Sequence, residues 1–487
     1  MTGSQWALPE ARENFIGGEW MASTDRMLDE NPSDLDDRLG DYASATVDDM
    51  HAAIASAKQA QPAWARTSLQ ARFDMLDRIG TELLQRHKEF GWLISREEGK
   101  ALFEGEGEAL RAGQVFKWFA GEVLRSGAER VDSVRLNVEA QVFREPVGVV
   151  GLITPWNFPF ATPAWKLAGA MAFGNSVVWK PAELTPASSL ALMEVISRQV
   201  PAGVCNLVLG RGEVVGAAMV AHEDVAAISF TGSVEVGGIV RRGAMARAAK
   251  VQLEMGGKNP LVVLDDADLD IALDAAIRGS FHATGQRCTN SSRILVTPGI
   301  RSRFIAGLRE RMRALVVGHA LDPKVEIGPV VDETQLKQNL SYLDIGRKEG
   351  AQLIEGGELL NRPTRGHYMA PALFTDANNA MRIAREEIFG PITAIIDVAD
   401  YEEALAVAND TSFGLSSSII TGSLKHAQHF KRNSTTGVVM VNLPTSGVDY
   451  HVPFGGRKGS NYGPREQGSY AREFYTVTKT TYELLGA

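Results

Sequence analysis

The chain has 487 residues, of which 44% are hydrophobic and 22% charged, and its formal net charge is −9. This length predicts two or three domains, and the acidic balance argues against nucleic acid or an anionic membrane surface as the main partner. The two cysteines and the lack of a C-x-x-C pair, of an apolar span of about 20 residues and of a secretory signal predict a cytoplasmic protein with no bound metal and no membrane span.

The first part of the chain predicts helices and then an antiparallel pair of strands. Residues 46–126 have helical periodicity, and Thr46 can cap the first helix. Residues 127–146 then alternate apolar and polar side chains, with the even-numbered apolar residues Val134, Leu136 and Val138 on one side. This alternation predicts a half-solvated strand or hairpin that interrupts the helical and apolar segments.

From residue 147 onward, apolar strands and helices alternate. The strand patterns of the first series are "VGVVGLIT", "SVVWK", "VCNLVLG", "VAAISF" and "KVQLE". A second series consists of "PLVVL", "RILVT", "ITAIIDV", "SSSIIT" and "GVVMVN". Continuous apolar strands that alternate with helices predict an α/β fold with two doubly wound parallel-sheet domains. The final stretch "REFYTVTKTTYELL" could pair with the earlier hairpin, either within the chain or across a subunit interface.

Three turns that follow strands of the first series carry glycines, a hydroxyl and charged side chains. These candidate ligand-binding residues are Lys180, Glu183, Gly212, Gly216, Gly232 and Ser233. Backbone N–H groups at a helix start can bind a pyrophosphate, and an acidic side chain such as Glu183 can accept ribose hydroxyls. Each turn alone is equally consistent with a tight connection that binds nothing. Three such turns at one edge of a parallel sheet favour a dinucleotide site.

Three further residues are candidates for chemistry. Asn157 lies between two prolines in "TPWNFP", where a rigid carboxamide can donate to an oxyanion, although turn chemistry also explains an asparagine there. Glu254 ends a strand in "QLEMGGK" and is either a general base or a surface carboxylate. Cys288 follows Arg287, and a thiol near positive charge can ionise and act as a nucleophile. The alternative for a lone cysteine is a small buried hydrophobe, which is our interpretation of Cys205.

Together these motifs resemble the aldehyde dehydrogenase superfamily. The matching segments, in chain order, are "TPWNFP", "WKPAE", "FTGS", "LEMGGK", "GQRC", "EEIFGP", "FGLSS" and "PFGGRKGS", which cover nearly the whole chain. The resemblance implies that Cys288 is the catalytic nucleophile, Glu254 the general base and Asn157 the oxyanion donor. It also implies NAD as the cofactor, with NADP as the alternative. The implied cofactor contacts are Ile153, Thr154, Trp156, Lys180, Glu183, Gly212, Gly216, Phe230, Gly232, Ser233, Glu387 and Phe389.

The same resemblance implies three structural parts. The NAD(P)-binding domain would comprise residues 1–126 and 147–253, and the catalytic domain residues 254–460. Residues 127–146 and 461–487 would form an oligomerisation element, in keeping with a homodimer or a homotetramer.

The predicted substrate depends on one segment of the chain. Residues 442–482 are most similar to a branch of the family, the bacterial α-ketoglutaric semialdehyde (2,5-dioxopentanoate) dehydrogenases, which implies a small carboxylated semialdehyde as substrate. Lys166, Arg287, His451 and Arg457 would favour an anion near the expected substrate funnel, although each also fits a role in holding loops. The alternatives are a broad alkyl or aromatic aldehyde dehydrogenase and a non-catalytic homologue of the fold.

Overall fold

The computed structural model describes residues 7–10, 12–125 and 127–486. The outer limits of the predicted domains, at residues 1, 126 and 487, lie outside the described residues. Within these ranges the strands form two large sheets, a three-stranded sheet and a two-stranded hairpin. No helix in the same ranges combines the length and the apolar character that crossing a bilayer requires.

The regular elements are numbered in chain order. The strands are β1 Asn14–Ile16, β2 Glu19–Met21, β3 Asp25–Asn31, β4 Asp34–Ser44, β5 Glu129–Asp132, β6 Val138–Pro146, β7 Val149–Ile153, β8 Ser176–Lys180, β9 Cys205–Leu207, β10 Val225–Gly232, β11 Lys250–Met255, β12 Asn259–Val263, β13 Ser291–Val296, β14 Gln352–Glu355, β15 Ala372–Ala377, β16 Ile392–Asp397, β17 Ser416–Ile420, β18 Val438–Val441, β19 Asn461–Tyr462 and β20 Thr476–Leu484. The α-helices are α1 Val47–Ala65, α2 Leu69–Gln85, α3 His87–Glu98, α4 Leu102–Val123, α5 Ala161–Ala172, α6 Pro186–Ser197, α7 Ala217–Ala221, α8 Val234–Met245, α9 Leu269–Ser280, α10 Pro298–Ala314, α11 Glu333–Lys348, α12 Arg382–Arg385, α13 Tyr401–Asn409, α14 Leu424–Asn433 and α15 Arg472–Tyr475.

The first large sheet has the order β19-β11-β10-β7-β8-β9-β1-β2. Its five central strands, β11 to β9 in that order, are parallel, and the strands at both edges pair antiparallel. All five residues of β8 are buried because helices cover both faces of the sheet. The carboxyl ends of β7, β10 and β11 therefore lie side by side at one edge, which is where open α/β sheets bind ligands.

The second large sheet has the order β14-β15-β16-β13-β12-β17-β18 and is parallel except for β14. The predicted α/β class with two parallel sheets is therefore confirmed. The short strands β14 and β15 were not among the predicted strands; both lie between residues 350 and 380, where no long apolar run marks them.

The third sheet is antiparallel, in the order β20-β6-β5. Strand β20 pairs with β6 over its whole length within one chain. Of the two pairings that the sequence left open, the one within the chain is therefore present. The predicted antiparallel hairpin is present as β5 and β6, but residues 133–137, which the alternation placed in a strand, form the connection between them. Val134 and Leu136 are 103% and 88% exposed, and Asn137 has a left-handed φ of 60°, as a chain reversal requires.

The predicted domain limits stay predictions. Strand β11 runs through the limit at 253/254, and β19 returns from the predicted oligomerisation element to the edge of the first sheet. These two strands tie the three parts together at the position of Glu254.

Candidate active site

A cavity of about 660 Å³ opens at the carboxyl ends of β7, β10 and β11. Loops that follow these three strands line it, together with loops of the second sheet. The cavity brings together Asn157, Glu254 and Cys288, the three predicted catalytic residues, from positions far apart in the chain. It is also lined by a subset of the predicted cofactor contacts, namely Trp156, Gly232, Ser233, Glu387 and Phe389.

A sharp turn after α9 places Cys288 at the cavity wall. Ala283, Thr284 and Gly285 are consecutive left-handed residues, with φ of 51°, 56° and 65°. This conformation is uncommon outside glycine and needs support from its surroundings. Part of that support is a hydrogen bond from the Ala283 N–H to Glu104 on α4, at 2.9 Å. The turn stops the helix and directs the following residues into the cavity.

The surroundings of Cys288 do not favour its thiolate. Burial first, and then the nearby carboxylates of Glu387 and Glu254, raise the pKa of the Cys288 thiol to about 12, while backbone N–H groups act in the opposite direction. The expectation that Arg287 would ionise the thiol is wrong, because its guanidinium is hydrogen-bonded to Glu104 and so its charge is compensated. A thiol with a pKa this high acts as a nucleophile only when a base takes its proton.

Asn157 is buried, and both its side chain and its backbone carbonyl form hydrogen bonds. Its Nδ2 donates to the carbonyl of Gln286 at 2.8 Å, and its own carbonyl accepts from Lys100 Nζ at 2.6 Å. A carboxamide has two N–H donors, so the second N–H of Asn157 stays available for an oxyanion. The contact to Gln286 links the loop after β7 to the loop that carries Cys288.

Lys100 belongs to a buried ionic cluster that the sequence analysis missed. Its Nζ lies 2.6 Å from Glu108 and 3.8 Å from Glu98, and Glu108 in turn accepts the backbone N–H groups of Phe160 and Ala161. The cluster therefore fixes the loop on which Asn157 stands. The adjacent acidic and basic residues in "REEGK" were a signal for it, although their burial is a tertiary property.

Glu254 is buried at the end of β11, so the alternative of a surface carboxylate is excluded. It accepts hydrogen bonds from Asn461 Nδ2 and, at 3.4 Å, from the Gly456 N–H. Burial and then the charge of Glu466 raise the pKa of Glu254 well above its usual range, and Lys166 partly offsets this. A carboxyl group in this position holds its proton to higher pH than an exposed one and is poised for general acid–base chemistry.

A second group of predicted cofactor residues lies at the end of β8. Glu183 Oε1 accepts from Lys180 Nζ at 2.7 Å and from the Gly212 N–H at 2.6 Å. Gly212–Gly216 forms a π-helical turn that leads into α7, and a Cβ atom added at Gly216 would lie 3.9 Å from Lys180 Cδ. The acid, the cation and the glycine turn thus form one cluster, as the ribose-binding prediction requires.

The remaining predicted cofactor residues have other surroundings. Ile153 ends β7 partly exposed, whereas Thr154 is buried and its Oγ1 accepts from Trp179 Nε1 at 2.8 Å. The Phe230 ring lies in the apolar core against the position of Gly232. The side chains of Thr154 and Phe230 therefore contact other parts of the protein. A cofactor could contact these two residues only through their backbone atoms.

The end of the cavity that holds Glu387 has the features of a site for a hydroxyl-rich ligand. Glu387 accepts from the Gly257 N–H at 3.0 Å, and burial raises the pKa of its carboxyl to about 7. Phe389 has a left-handed φ of 61°, and its ring stands edge-on to Trp156 with centroids 5.4 Å apart. Within the described residues the buried Thr231 Oγ1, also at the cavity wall, has no hydrogen-bond partner. These polar atoms fit a nicotinamide ribose.

The expected cations of the substrate funnel need correction. Lys166 is fully buried and forms an ion pair with Glu466, and neither His451 nor Arg457 lines the cavity. Of the four expected residues, Arg287 alone lines it. Three basic residues that the sequence analysis missed reach the cavity from helices or their ends: Lys100, Arg111 and Arg278.

Comparison with known proteins places the chain among the aldehyde dehydrogenases. A family profile described as "Aldehyde dehydrogenase family" matches residues 20–481. The chain is 42% identical to an α-ketoglutaric semialdehyde dehydrogenase of Bacillus subtilis over 96% of this chain and 97% of that protein. It is 38% identical to a 2,5-dioxopentanoate dehydrogenase of Saccharolobus solfataricus, over 96% and 98%.

Other relatives carry a different substrate name. A betaine aldehyde dehydrogenase of Sinorhizobium fredii is 37% identical over 99% of this chain and 98% of that protein. Among solved structures, a betaine aldehyde dehydrogenase of Staphylococcus aureus in complex with NAD+ superimposes with a TM-score of 0.95, at 32% identity, over 98% of this chain and 95% of that chain. The similarity therefore extends over the whole fold.

Proposed function

Because the chain belongs to the aldehyde dehydrogenase family, we propose that it oxidises a small carboxylated semialdehyde to the corresponding acid with NAD, and that this substrate is α-ketoglutaric semialdehyde. The observation that carries the chemistry is the meeting of a thiol, a buried carboxyl group and a carboxamide in one cavity: Cys288, Glu254 and Asn157. The substrate part is supported by the similarity to enzymes named for that semialdehyde.

The three residues divide the work of the reaction. Cys288 Sγ adds to the aldehyde carbon as its proton passes to a base, and the free N–H of Asn157 stabilises the negative oxygen. Bound NAD supplies a hydride acceptor. The acyl group left on Cys288 is released by water, and deprotonated Glu254 takes the proton of that water. Asn157 and Glu254 are buried, so both groups are held in place at the cavity wall.

The cofactor-binding residues favour NAD over NADP. Glu183 would accept ribose hydroxyls and repel a 2′-phosphate. Lys180 would attract such a phosphate, but Glu183 compensates its charge at 2.7 Å. Ser233 at the start of α8 offers a helix N-terminus for the pyrophosphate, and Glu387 an acceptor for the nicotinamide ribose.

An aldehyde panel tests this function. The rate of NAD reduction is measured as kcat/KM for α-ketoglutaric semialdehyde, succinic semialdehyde, pentanal, hexanal, benzaldehyde and betaine aldehyde. We expect the carboxylated aldehydes to lead by at least about tenfold, because a charge-assisted hydrogen bond is absent for neutral aldehydes. Hexanal or benzaldehyde at equal or higher kcat/KM would replace the proposal by a broad alkyl or aromatic specificity, and a lead for betaine aldehyde would replace it by a cationic substrate.

Cysteine variants control the panel. Cys288→Ala should lose at least about 10³-fold in turnover, as removal of a nucleophile does in other covalent mechanisms. Cys205→Ala should retain activity, since Cys205 lies in β9 within the apolar core. Comparable turnover of Cys288→Ala and the unmodified protein would contradict the proposed chemistry as a whole.

We propose further that the protein acts in the cytoplasm as a homodimer or homotetramer. The three-stranded sheet supports an oligomerisation role for residues 127–146 and 461–487, because it exposes large apolar side chains. Those side chains are Val134, Leu136, Val477, Tyr482 and Leu484.

A further inference from the structure

We propose that Arg111 binds the carboxylate of the substrate at the end remote from Cys288 and thereby determines the preference for carboxylated aldehydes. The inference rests on the proposed function and assigns its specificity to one residue. Arg111 lies on α4, is half-buried and lines the cavity that contains Cys288.

The guanidinium of Arg111 has no carboxylate in direct contact. Four lysine or arginine side chains line the cavity in the part of the chain that the structure describes, and three of them have a carboxylate within 4.0 Å. The three pairs are Lys100–Glu108, Arg278–Asp274 and Arg287–Glu104. Arg111 forms no such pair among the described residues; the charge of Asp449 reaches it only from beyond that distance. A half-buried cation without an acidic partner favours an anionic ligand.

The helix face that carries Arg111 borders open space in the cavity. Glu104, Gly107, Glu108 and Arg111 recur at the spacing of one helix face, and all four line the cavity. Glu104 and Glu108 are committed to basic partners, whereas a Cβ atom at Gly107 would meet nothing within 4 Å. The cavity is therefore unfilled over Gly107, one helical turn before Arg111, which leaves room for a ligand on this face of α4.

The guanidinium of Arg111 keeps hydrogen-bond donors that its protein contacts do not use. Arg111 donates from Nη2 to the carbonyl of Val448, and its Cζ lies 5.8 Å from the centre of the Tyr450 ring. A guanidinium has five N–H donors in a planar fork, so several remain for a bidentate carboxylate. In a short semialdehyde the carboxylate is only a few carbon atoms from the aldehyde that Cys288 attacks. Both ends of the substrate therefore lie in the same cavity, which Arg111 also lines.

The test compares paired substrates in Arg111→Met and Arg111→Lys. For Arg111→Met we expect kcat/KM for α-ketoglutaric semialdehyde to fall by about 10²-fold or more, as when one partner of a buried charge pair is removed. The value for pentanal should stay within about threefold. Arg111→Lys should lie between these, since an ammonium keeps the charge but loses the fork. Arg125→Met, a 63% exposed arginine outside the cavity, is the matched control and should change neither value.

A binding measurement separates this inference from the function on which it rests. Glutarate, a five-carbon dicarboxylate, should inhibit pentanal oxidation competitively, and its inhibition constant should rise by about 10²-fold in Arg111→Met.

An equal loss of kcat/KM for both aldehydes in Arg111→Met would show that Arg111 only holds the Val448 loop. An unchanged inhibition constant for glutarate would also overturn the inference. Both results leave the proposed function standing. An unmodified protein that prefers pentanal, with inhibition by glutarate still dependent on Arg111, would instead overturn the proposed substrate and support the site. Arg111→Gln repeats the test if Arg111→Met does not fold.

Discussion

Cys288 and Cys205 have equally raised thiol pKa values, about 12 in both cases, in opposite surroundings. Cys205 lies in an apolar core, where burial alone accounts for the shift. Cys288 faces a cavity and two carboxylates, Glu254 and Glu387, which add to the effect of burial. The acidity of the thiol therefore does not distinguish the two residues. The two cysteines differ instead in their access to an aldehyde and to a base, which only Cys288 has at the cavity wall.

The raised pKa of Glu254 predicts an unusual acid limb in the pH profile. A base must be deprotonated to act, and a carboxyl whose pKa is raised holds its proton until the pH exceeds that raised value. We expect kcat to rise with pH through a midpoint well above 4.5, and Glu254→Gln to lose this limb.

Stopped-flow absorbance of reduced NAD should show a burst of about one equivalent per site in Glu254→Gln, followed by slow turnover, because the acyl group on Cys288 is then released slowly.

Two results would contradict this role for Glu254. One is unchanged steady-state turnover in Glu254→Gln. The other is an acid limb that the variant retains, which would assign the titration to another group. Glu254→Asp is the matched control, since it keeps the carboxyl and should keep the limb at a lower rate.

At the level of elements, two helices begin with different kinds of caps. Thr46 and Asp49 form a capping box at α1, so the predicted cap is confirmed. The start of α6 has no side-chain cap from Thr185, whose buried Oγ1 lacks a partner. Instead the buried carboxyl of Glu97 on α3 accepts the N–H groups of Ala187 and Ser188 at 2.6 and 2.9 Å. The cap of α6 is thus a tertiary contact between two helices.

This arrangement predicts different costs for two substitutions. Glu97→Ala removes the acceptor of two buried N–H groups and should lower the free energy of unfolding by about 2 kcal/mol or more. Thr185→Ala removes a hydroxyl without a partner and should change it by less than about 0.5 kcal/mol. Urea unfolding followed by circular dichroism measures both values. Equal values for the two variants would show that Glu97 does not cap α6.

For the whole molecule, the three-stranded sheet is a region that the rest of the described chain leaves largely uncovered. All four residues of β5 are exposed, as are eight of the nine residues of β20. The connection between the two hairpin strands carries Val134 and Leu136 into solvent. Apolar surface of this kind marks an interface.

We therefore expect Val134→Asp combined with Leu136→Asp to shift the protein towards smaller assemblies. A charge at each position would have to be desolvated in an interface between subunits. Light scattering after size-exclusion chromatography gives the mass, with Arg125→Met as an exposed control outside the sheet. An unchanged mass of more than one chain would exclude these side chains from the interface, and a monomeric parent protein would contradict the proposed assembly.

The sequence by itself was enough to predict the parallel sheets, the helix cap at Thr46 and the identity of Asn157, Glu254 and Cys288 as candidates. These features depend on local patterns: apolar runs buried on both faces of a sheet, short-range capping and contiguous motifs. It also suggested the family, because the motifs are contiguous in the chain.

Only the tertiary structure decided which charges are free. Lys166 and Arg287 had been expected at the substrate funnel, but Glu466 and Glu104, 300 and 183 residues away along the chain, compensate them. Arg111 was not expected there, and it is the cavity cation left without such a partner among the described residues. The physical reason is that the energy of a charge depends on its burial and on its nearest opposite charge, and both are set by contacts between residues far apart in sequence.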